Sequence, residues 1–115
     1  MIRNATTGEV VATRVKWCTT FLTRGLGLMF HPPLREDQAY VFVEGRESRS
    51  LTTICMLFVF FPLGVIWLDA SKRVVDRVLA KPFYPYYAPR QPAQFYIECH
   101  PHALERVQVG DQLEF

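Results

Sequence analysis

A chain of 115 residues predicts a single domain over residues 1–115, since chains usually divide into several domains only beyond about 250 residues. Half of the residues are hydrophobic, 14% are aromatic and 21% are charged, so disorder is excluded and a compact core is expected. The net charge of +2 is too small for the basic surface of a protein that binds nucleic acid or an anionic membrane, so neither partner is expected.

The first part of the chain predicts strands separated by a short helix. Residues 10–17, VVATRVKW, alternate as a strand does, and residues 1–3 could pair with them as a hairpin arm. Residues 19–30, TTFLTRGLGLMF, carry apolar side chains at three-to-four spacing, which is typical of a short helix that the two glycines end or loosen. Residues 38–44, QAYVFVE, predict a strand that is buried on both faces.

The stretch Leu51–Leu68 contains no charged residue and reaches the lower length limit for a membrane-spanning helix. Against a helix, Pro62 and Gly64 interrupt the stretch, and its β-branched and aromatic residues favour strands. We therefore predict two apolar strands joined near residues 60–62. A membrane-associated domain through Leu51–Leu68 stays open as an alternative.

The last part of the chain predicts further short strands around a loop. Residues 73–80 and 94–99 read as strands, residues 101–106 as a helical turn and residues 111–115 as a closing edge strand. Residues 81–93 hold four prolines and four aromatic residues, which suits an extended surface loop. Short strands separated by frequent turns predict a mainly β fold, an antiparallel β-sandwich or small barrel with one or two short helices.

The amino-terminal residues and the cysteines indicate a reducing compartment. The opening residues lack the basic and apolar stretches of a secretory signal, so we expect a cytoplasmic protein. Cys18, Cys55 and Cys99 lie far apart without a Cys-x-x-Cys pair, which predicts reduced, mostly buried thiols. Cys18 borders the predicted helix and is the candidate nucleophile of a thiol-dependent enzyme, whereas Cys55, between Ile54 and Met56, is expected to be buried and unreactive.

Cys99, His100 and His102 form the densest group of potential metal ligands. On an extended backbone the two imidazoles point one way and the thiol the other, whereas a tetrahedral site needs three or four converging ligands. Only His31 or a distant carboxylate could complete such a site. We therefore expect neither a metal nor another cofactor.

The proline-rich loop carries the side chains best suited to binding. Tyr84, Tyr86 and Tyr87, with Arg90 beside them, could stack on a ligand or on a protein partner, and they are candidate binding residues. The alternative is that the same aromatic rings cover the core.

Several motifs occur in the order typical of one known family. They are RGLGLM at residues 24–29, ICM leading through FPL into VIWLD, the proline-rich loop, and VGD at residues 109–111. The chain thereby resembles the family called domain of unknown function 192 (DUF192), which implies a compact, mainly β domain of bacteria and archaea without an established reaction, cofactor or substrate. The resemblance also marks Arg24, a candidate binding residue at the end of the predicted helix, where it would pair with helix carbonyls or bind an anion in a pocket.

Three departures from the resemblance bear on function. Members usually carry an aspartate where this chain has Gly64, and a Trp or His where it has Cys55. Many also carry Lys-Asn-Thr where this chain has Leu57, Phe58 and Val59. If those polar groups form a site, this chain lacks it, which favours binding or a structural role over catalysis.

Taken together, these observations predict a small soluble β domain that is not an enzyme. We expect it to bind a small hydrophobic or aromatic ligand or a protein segment, and it could form a weak homo-oligomer. A thiol-dependent enzyme that uses Cys18 is the first alternative, and the membrane-associated domain is the second.

Overall fold

The computed structural model describes residues 1–18 and 33–115, in which eight strands form two sheets and one 3₁₀ helix packs beside them. In chain order the elements are β1 (Ile2–Asn4), β2 (Val10–Ala12), β3 (Arg14–Cys18), β4 (Gln38–Ser48), β5 (Leu63–Leu68), β6 (Val74–Ala80), β7 (Ala93–Cys99), the 3₁₀ helix (Pro101–Arg106) and β8 (Leu113–Glu114). The predicted helix over residues 19–30 lies outside the described residues, and so does Arg24.

The strands form a three-stranded sheet, in the order β2-β1-β8, and a five-stranded sheet, in the order β3-β4-β7-β5-β6. The mainly β fold is confirmed, as two open sheets within the described ranges. One pair differs from the antiparallel expectation, because β3 and β4 run parallel, from Arg14 beside Gln38 to Cys18 beside Phe42. A parallel pair needs a long crossover, and residues 19–37 are numerous enough to make one.

Both faces of the five-stranded sheet are covered, which explains why β5 is buried at every position. One face packs against the three-stranded sheet and the 3₁₀ helix. This first core includes Ile2, Val11, Val41, Ile66, Ile97, Leu104 and Leu113. Among the described residues, the other face packs against residues 54–61 and Leu34. This second core includes Phe42, Ile54, Met56, Val59, Phe61, Val65, Trp67 and Tyr96.

Residues 10–17 form two strands instead of the single predicted strand. Strand β2 belongs to the three-stranded sheet and β3 to the five-stranded sheet. The chain changes sheet at Thr13, where the amides of Thr13 and Arg14 both donate to the carbonyl of Asp37, at 3.0 and 2.9 Å. Because a strand pattern is local, it does not reveal that two halves of one run pair with different partners.

Only the second of the two strands predicted within Leu51–Leu68 forms. Strand β5 begins at Leu63, whereas residues 51–62 cross the face of the sheet without joining its ladder. The indole Nε1 of Trp67 donates to the carbonyl of Thr52 at 2.8 Å and fastens this segment to the sheet. Among the described residues, no helix has the length and apolar character needed to cross a membrane.

Candidate functional site

An aromatic ribbon, residues 53–60 paired with residues 81–87, covers the second core. Ile54 and Tyr87 exchange two backbone hydrogen bonds of 2.9 Å. The backbone N–H and C=O of Met56 bond to the facing segment at 3.1 and 2.8 Å. These bonds tie the proline-rich loop to the segment that precedes β5, so the ribbon is an ordered surface.

The outer side of the aromatic ribbon is strongly apolar. Its exposed rings belong to Phe58, Phe60, Phe83, Tyr84 and Tyr86. Phe60 and Phe83 meet edge to face with their ring centroids 5.1 Å apart. Phe83 has a φ of +64°, a left-handed conformation that is costly for an aromatic residue. Backbone strain of this kind is concentrated at functional sites, which makes the aromatic ribbon a candidate site.

The three candidate tyrosines occupy different environments. Tyr84 and Tyr86 are exposed, with 52% and 60% of their surface accessible. Tyr87 is half-buried against the second core, and its hydroxyl accepts the amide of Lys81 at 2.9 Å. Tyr84 and Tyr87 lie with their ring centroids 4.9 Å apart. Tyr87 therefore covers the core, while Tyr84 and Tyr86 are available to a partner.

The chain segments that contain the aromatic ribbon carry basic but no acidic side chains. Residues 49–68 and 77–97, which contain the ribbon, carry no Asp or Glu. Lys81 and the candidate residue Arg90 are both exposed. The Arg90 guanidinium lies 3.7 Å from the nearly buried carboxylate of Asp76, which also accepts the Arg90 amide at 3.0 Å. Arg90 is thus held at the edge of the ribbon with most of its side chain in solvent.

A second cluster consists of Glu36, His100 and His102, with one ligating atom of each within 4.8 Å of the others. The Nδ1 of His102 lies 2.6 Å from the Oε1 of Glu36, and the Nδ1 of His100 accepts the amide of His102 at 3.1 Å. Pairing of Ala39 with Cys99 brings the start of β4 to the end of β7 and so places Glu36 beside the histidines. The cluster has the residue types of a transition-metal site.

The expectation that the two histidines lack a converging partner is wrong. Glu36 is the distant carboxylate that the sequence could not locate, since it lies 66 residues before His102. His31, the other proposed partner, lies outside the described residues. Beside the cluster is a groove of about 280 Å³. Its walls are formed by Pro33, Leu34, Phe61, Pro62, His100, Pro101 and His102.

The three thiols differ in burial. Cys18 and Cys99 are buried, as predicted, but Cys55 is exposed, and its expected burial is wrong. In the aromatic ribbon Ile54 and Met56 point into the core, so the side chain between them points outward. Burial raises the pKa of the Cys18 thiol and raises that of Cys99 to about 12, which disfavours the nucleophilic thiolate at both.

Glu98 is a buried ionisable residue that sequence reasoning missed. It lies on β7 between Tyr40 of β4 and Val65 of β5, and it is 7% exposed. Burial raises its pKa from 4.5 to about 8, and its Oε2 has no hydrogen-bond partner among the described residues. The pattern QFYIEC at residues 94–99 indicates a strand, but it does not show that other segments cover the sheet at Glu98, the charged residue of this strand.

Comparisons with known proteins agree with the fold. The DUF192 family, described as "Uncharacterized ACR", matches residues 2–115. The chain belongs to the DUF192 family. A UPF0127 protein of Pyrococcus furiosus is 34% identical over 114 residues, which are 97% of this chain and 95% of that protein.

Two solved structures resemble this DUF192 chain at 21% identity. A protein of unknown function from Novosphingobium aromaticivorans has a TM-score of 0.79 over 88% of this chain and 74% of that chain. A candidate transcription regulator from Sinorhizobium meliloti has a TM-score of 0.82 over 98% and 88%. At this level of identity, the similarity shows the fold alone.

The structure explains the departure from the DUF192 pattern at Gly64 and shows where the departure at residues 57 and 58 lies. A Cβ at Gly64 would lie 2.9 Å from the Cγ of Leu104 and 3.0 Å from the Sγ of Cys99, so an aspartate there requires different packing. Leu57 and Phe58, which replace polar residues, are exposed on the aromatic ribbon. The replacement of these polar residues by Leu57 and Phe58 therefore makes the candidate surface more apolar.

Proposed function

We propose that this DUF192 protein is a binding domain without catalytic activity, whose aromatic ribbon takes a protein segment with apolar and acidic side chains. The observation that carries the proposal is the exposure of five aromatic rings on an ordered ribbon whose two segments contain no Asp or Glu. Aromatic residues are enriched in protein interfaces, where they bury much area at little cost in conformational entropy.

The charge of the surface supports an acidic partner. Lys81 on the ribbon and Arg90 beside it are both exposed. Arg49 is attached to the proline-rich loop through its Nε, which donates to the carbonyl of Pro89 at 2.9 Å. Complementary charge speeds association and excludes partners of the wrong sign. A segment that alternates apolar and acidic residues would contact both the rings and the cations.

The shape of the ribbon supports a protein segment over a small ligand. A small-molecule site is a concave pocket that encloses most of the ligand. The exposed rings lie instead along the outer side of two paired segments, from Phe58 and Phe60 to Phe83, Tyr84 and Tyr86. Several rings can contact an extended partner at once, and each adds buried apolar area.

The cysteine chemistry supports a role without thiol catalysis. A catalytic cysteine needs an accessible thiol with a lowered pKa. Cys18 is buried, and burial raises the pKa of its thiol, an effect that the nearby Lys16 opposes and that Glu98 adds to. The thiol-dependent enzyme therefore has less support than the binding domain.

Binding of synthetic peptide pools tests the proposal. Three pools of 12-residue peptides share the same aromatic content and contain acidic, basic or neutral polar residues at the other positions. In fluorescence anisotropy titrations, we expect the acidic pool to bind most tightly, and added salt to weaken its binding. Equal binding of the three pools, or none of the acidic pool, would contradict the proposal.

Variants locate the binding surface. Phe60→Ser and Tyr86→Ser change exposed side chains, so they should fold normally and weaken binding of the acidic pool about tenfold or more. Val109→Ser is the matched control, because Val109 is equally exposed but lies outside the ribbon. Bound peptide should also slow thiol labelling of Cys55, which is exposed on the ribbon. A loss of binding in Val109→Ser but not in the ribbon variants would place the interface elsewhere.

A further inference from the structure

We infer that Glu36, His100 and His102 form a site for a divalent transition metal, most readily Zn²⁺, with one coordination position open to the adjacent groove. Two imidazoles and one carboxylate are a ligand set that zinc accepts in sites with three protein ligands. The same set disfavours Mg²⁺ and Ca²⁺, which prefer oxygen ligands alone. This inference is independent of the aromatic ribbon.

The distances allow coordination after small side-chain rotations. One ligating atom of each residue already lies within 4.8 Å of the other two. Ligands of a tetrahedral zinc ion, bound at about 2.0 to 2.2 Å, lie about 3.3 Å from one another. The side chains of Glu36 and His102 are 62% and 61% exposed, so they are free to turn by the small amount required.

The current hydrogen bonds are of the kind that a metal replaces. His102 Nδ1 and Glu36 Oε1 share a hydrogen at 2.6 Å, and a bound cation would stand in place of that shared proton. His100 Nδ1 accepts the amide of His102, and the ring must release this bond if the same nitrogen is to bind metal. The bond is exposed to solvent, so water can satisfy the freed amide.

The backbone that carries the three residues is well fixed. Pro101 restricts the chain between the two histidines, and the 3₁₀ helix that follows is anchored by the buried Ala103 and Leu104. Glu36 lies in the turn before β4, where the amide of Gln38 donates to the carbonyl of Arg35 at 3.1 Å. Ligands on a fixed backbone lose less conformational entropy when they bind an ion.

The adjacent groove gives the site its open side. His100 and His102 form part of its lining, together with the apolar side chains of Leu34 and Phe61. Three protein ligands leave the fourth position of a tetrahedral zinc ion to water or to a ligand in the groove. The groove therefore suits a small molecule that carries a donor atom for the metal and an apolar body for contact with Leu34 and Phe61.

Calorimetric titration with ZnCl₂ tests the site. The starting protein is Cys55→Ser, which removes the exposed thiol as a competing zinc ligand. We expect one equivalent of Zn²⁺ to bind, and a large excess of Mg²⁺ or Ca²⁺ not to displace it. Absorption by bound Co²⁺ gives a second readout, since a four-coordinate ion produces a much stronger visible band than a six-coordinate ion. Failure to bind one equivalent would overturn the inference.

Variants in the Cys55→Ser background separate this site from a simple surface chelate. Glu36→Gln, His102→Ala and His100→Asn should each weaken zinc binding at least tenfold. His100 caps the 3₁₀ helix, because its side chain accepts the amide of His102. The side-chain oxygen of Asn can accept the same amide, so His100→Asn retains the helix cap but removes the imidazole ligand. Glu105→Gln, which changes an exposed carboxylate on the same helix, is the control and should bind as the starting protein does. Zinc binding that needs both histidines but not Glu36 would overturn the three-residue site.

Discussion

The buried carboxyl group of Glu98 should make the protein less stable as the pH rises. Burial raises its pKa from 4.5 to about 8, so the folded protein keeps a proton that the unfolded chain releases above pH 4.5. Because the folded state holds the proton more tightly, the protonated group stabilises the folded protein. Its contribution to the free energy of unfolding is fully present below pH 4.5 and is lost as the pH rises towards 8.

The size of the effect follows from the same two pKa values. Within this window each pH unit changes the free energy of unfolding by at most about 1.4 kcal/mol. Between pH 5 and pH 7 the folded carboxyl group stays mostly protonated while the unfolded one ionises. We therefore expect this group to lower the free energy of unfolding by about 2 kcal/mol over that interval.

Urea denaturation at pH 5, 6 and 7 measures this change. Glu98→Gln replaces the carboxyl with an amide of similar shape that does not ionise, so the fall of about 2 kcal/mol should disappear. Glu105→Gln changes an exposed carboxylate and should keep the pH dependence of the wild type. The histidines are common to all three proteins, so they do not affect the comparison. A Glu98→Gln protein that loses as much stability as the wild type would refute the reasoning.

Three further predictions test the packing. In the native protein at neutral pH, a thiol reagent should label Cys55 rapidly and the two buried cysteines slowly, as read by mass spectrometry of the labelled sites. Fast labelling of all three cysteines would contradict the burial of Cys18 and Cys99. Gly64→Ala should lower the free energy of unfolding, measured by urea denaturation, by about 1–3 kcal/mol, because the added Cβ would meet side chains at 2.9 and 3.0 Å. Gly45→Ala is the control and should change the free energy of unfolding little, because a Cβ there points into open space. Trp67→Phe should lower the free energy of unfolding by about 1–3 kcal/mol, because the buried carbonyl of Thr52 loses its donor. The same change should speed hydrogen exchange in residues 51–60. Unchanged exchange would show that the indole does not hold this segment on the sheet.

Much of the fold could be predicted from the sequence because its signals are local. Alternating apolar residues predicted the strands at residues 38–44, 73–80 and 94–99, and β4, β6 and β7 occupy these regions. The prolines kept residues 81–92 out of the five-stranded sheet, where Tyr87 makes only an isolated bridge to Ile54, whereas Ala93, the last residue of the predicted loop, already belongs to β7. The ordered motifs also identified the family, as the match over residues 2–115 confirms.

The candidate site was only partly within reach of the sequence. Tyr84, Tyr86 and Arg90 were found because the loop that carries them is dense in aromatic residues. Phe58 and Phe60, which are also exposed on the aromatic ribbon, lie in the run that was predicted to form two apolar strands joined near residues 60–62. An apolar run has the same composition whether it is covered or exposed, so the sequence did not single these two rings out.

The sequence by itself determined the β class, most of the strand positions and the type of each side chain, because these depend on residues close together in the chain. The tertiary structure alone decided which residues share an environment. Strand pairing placed Glu36 beside His102 across 66 residues, and covering of the sheet buried Glu98. The same packing turned Cys55 to the surface. Pairing and burial arise from contacts between distant segments, and a local pattern of alternation contains no information about the partner that covers it.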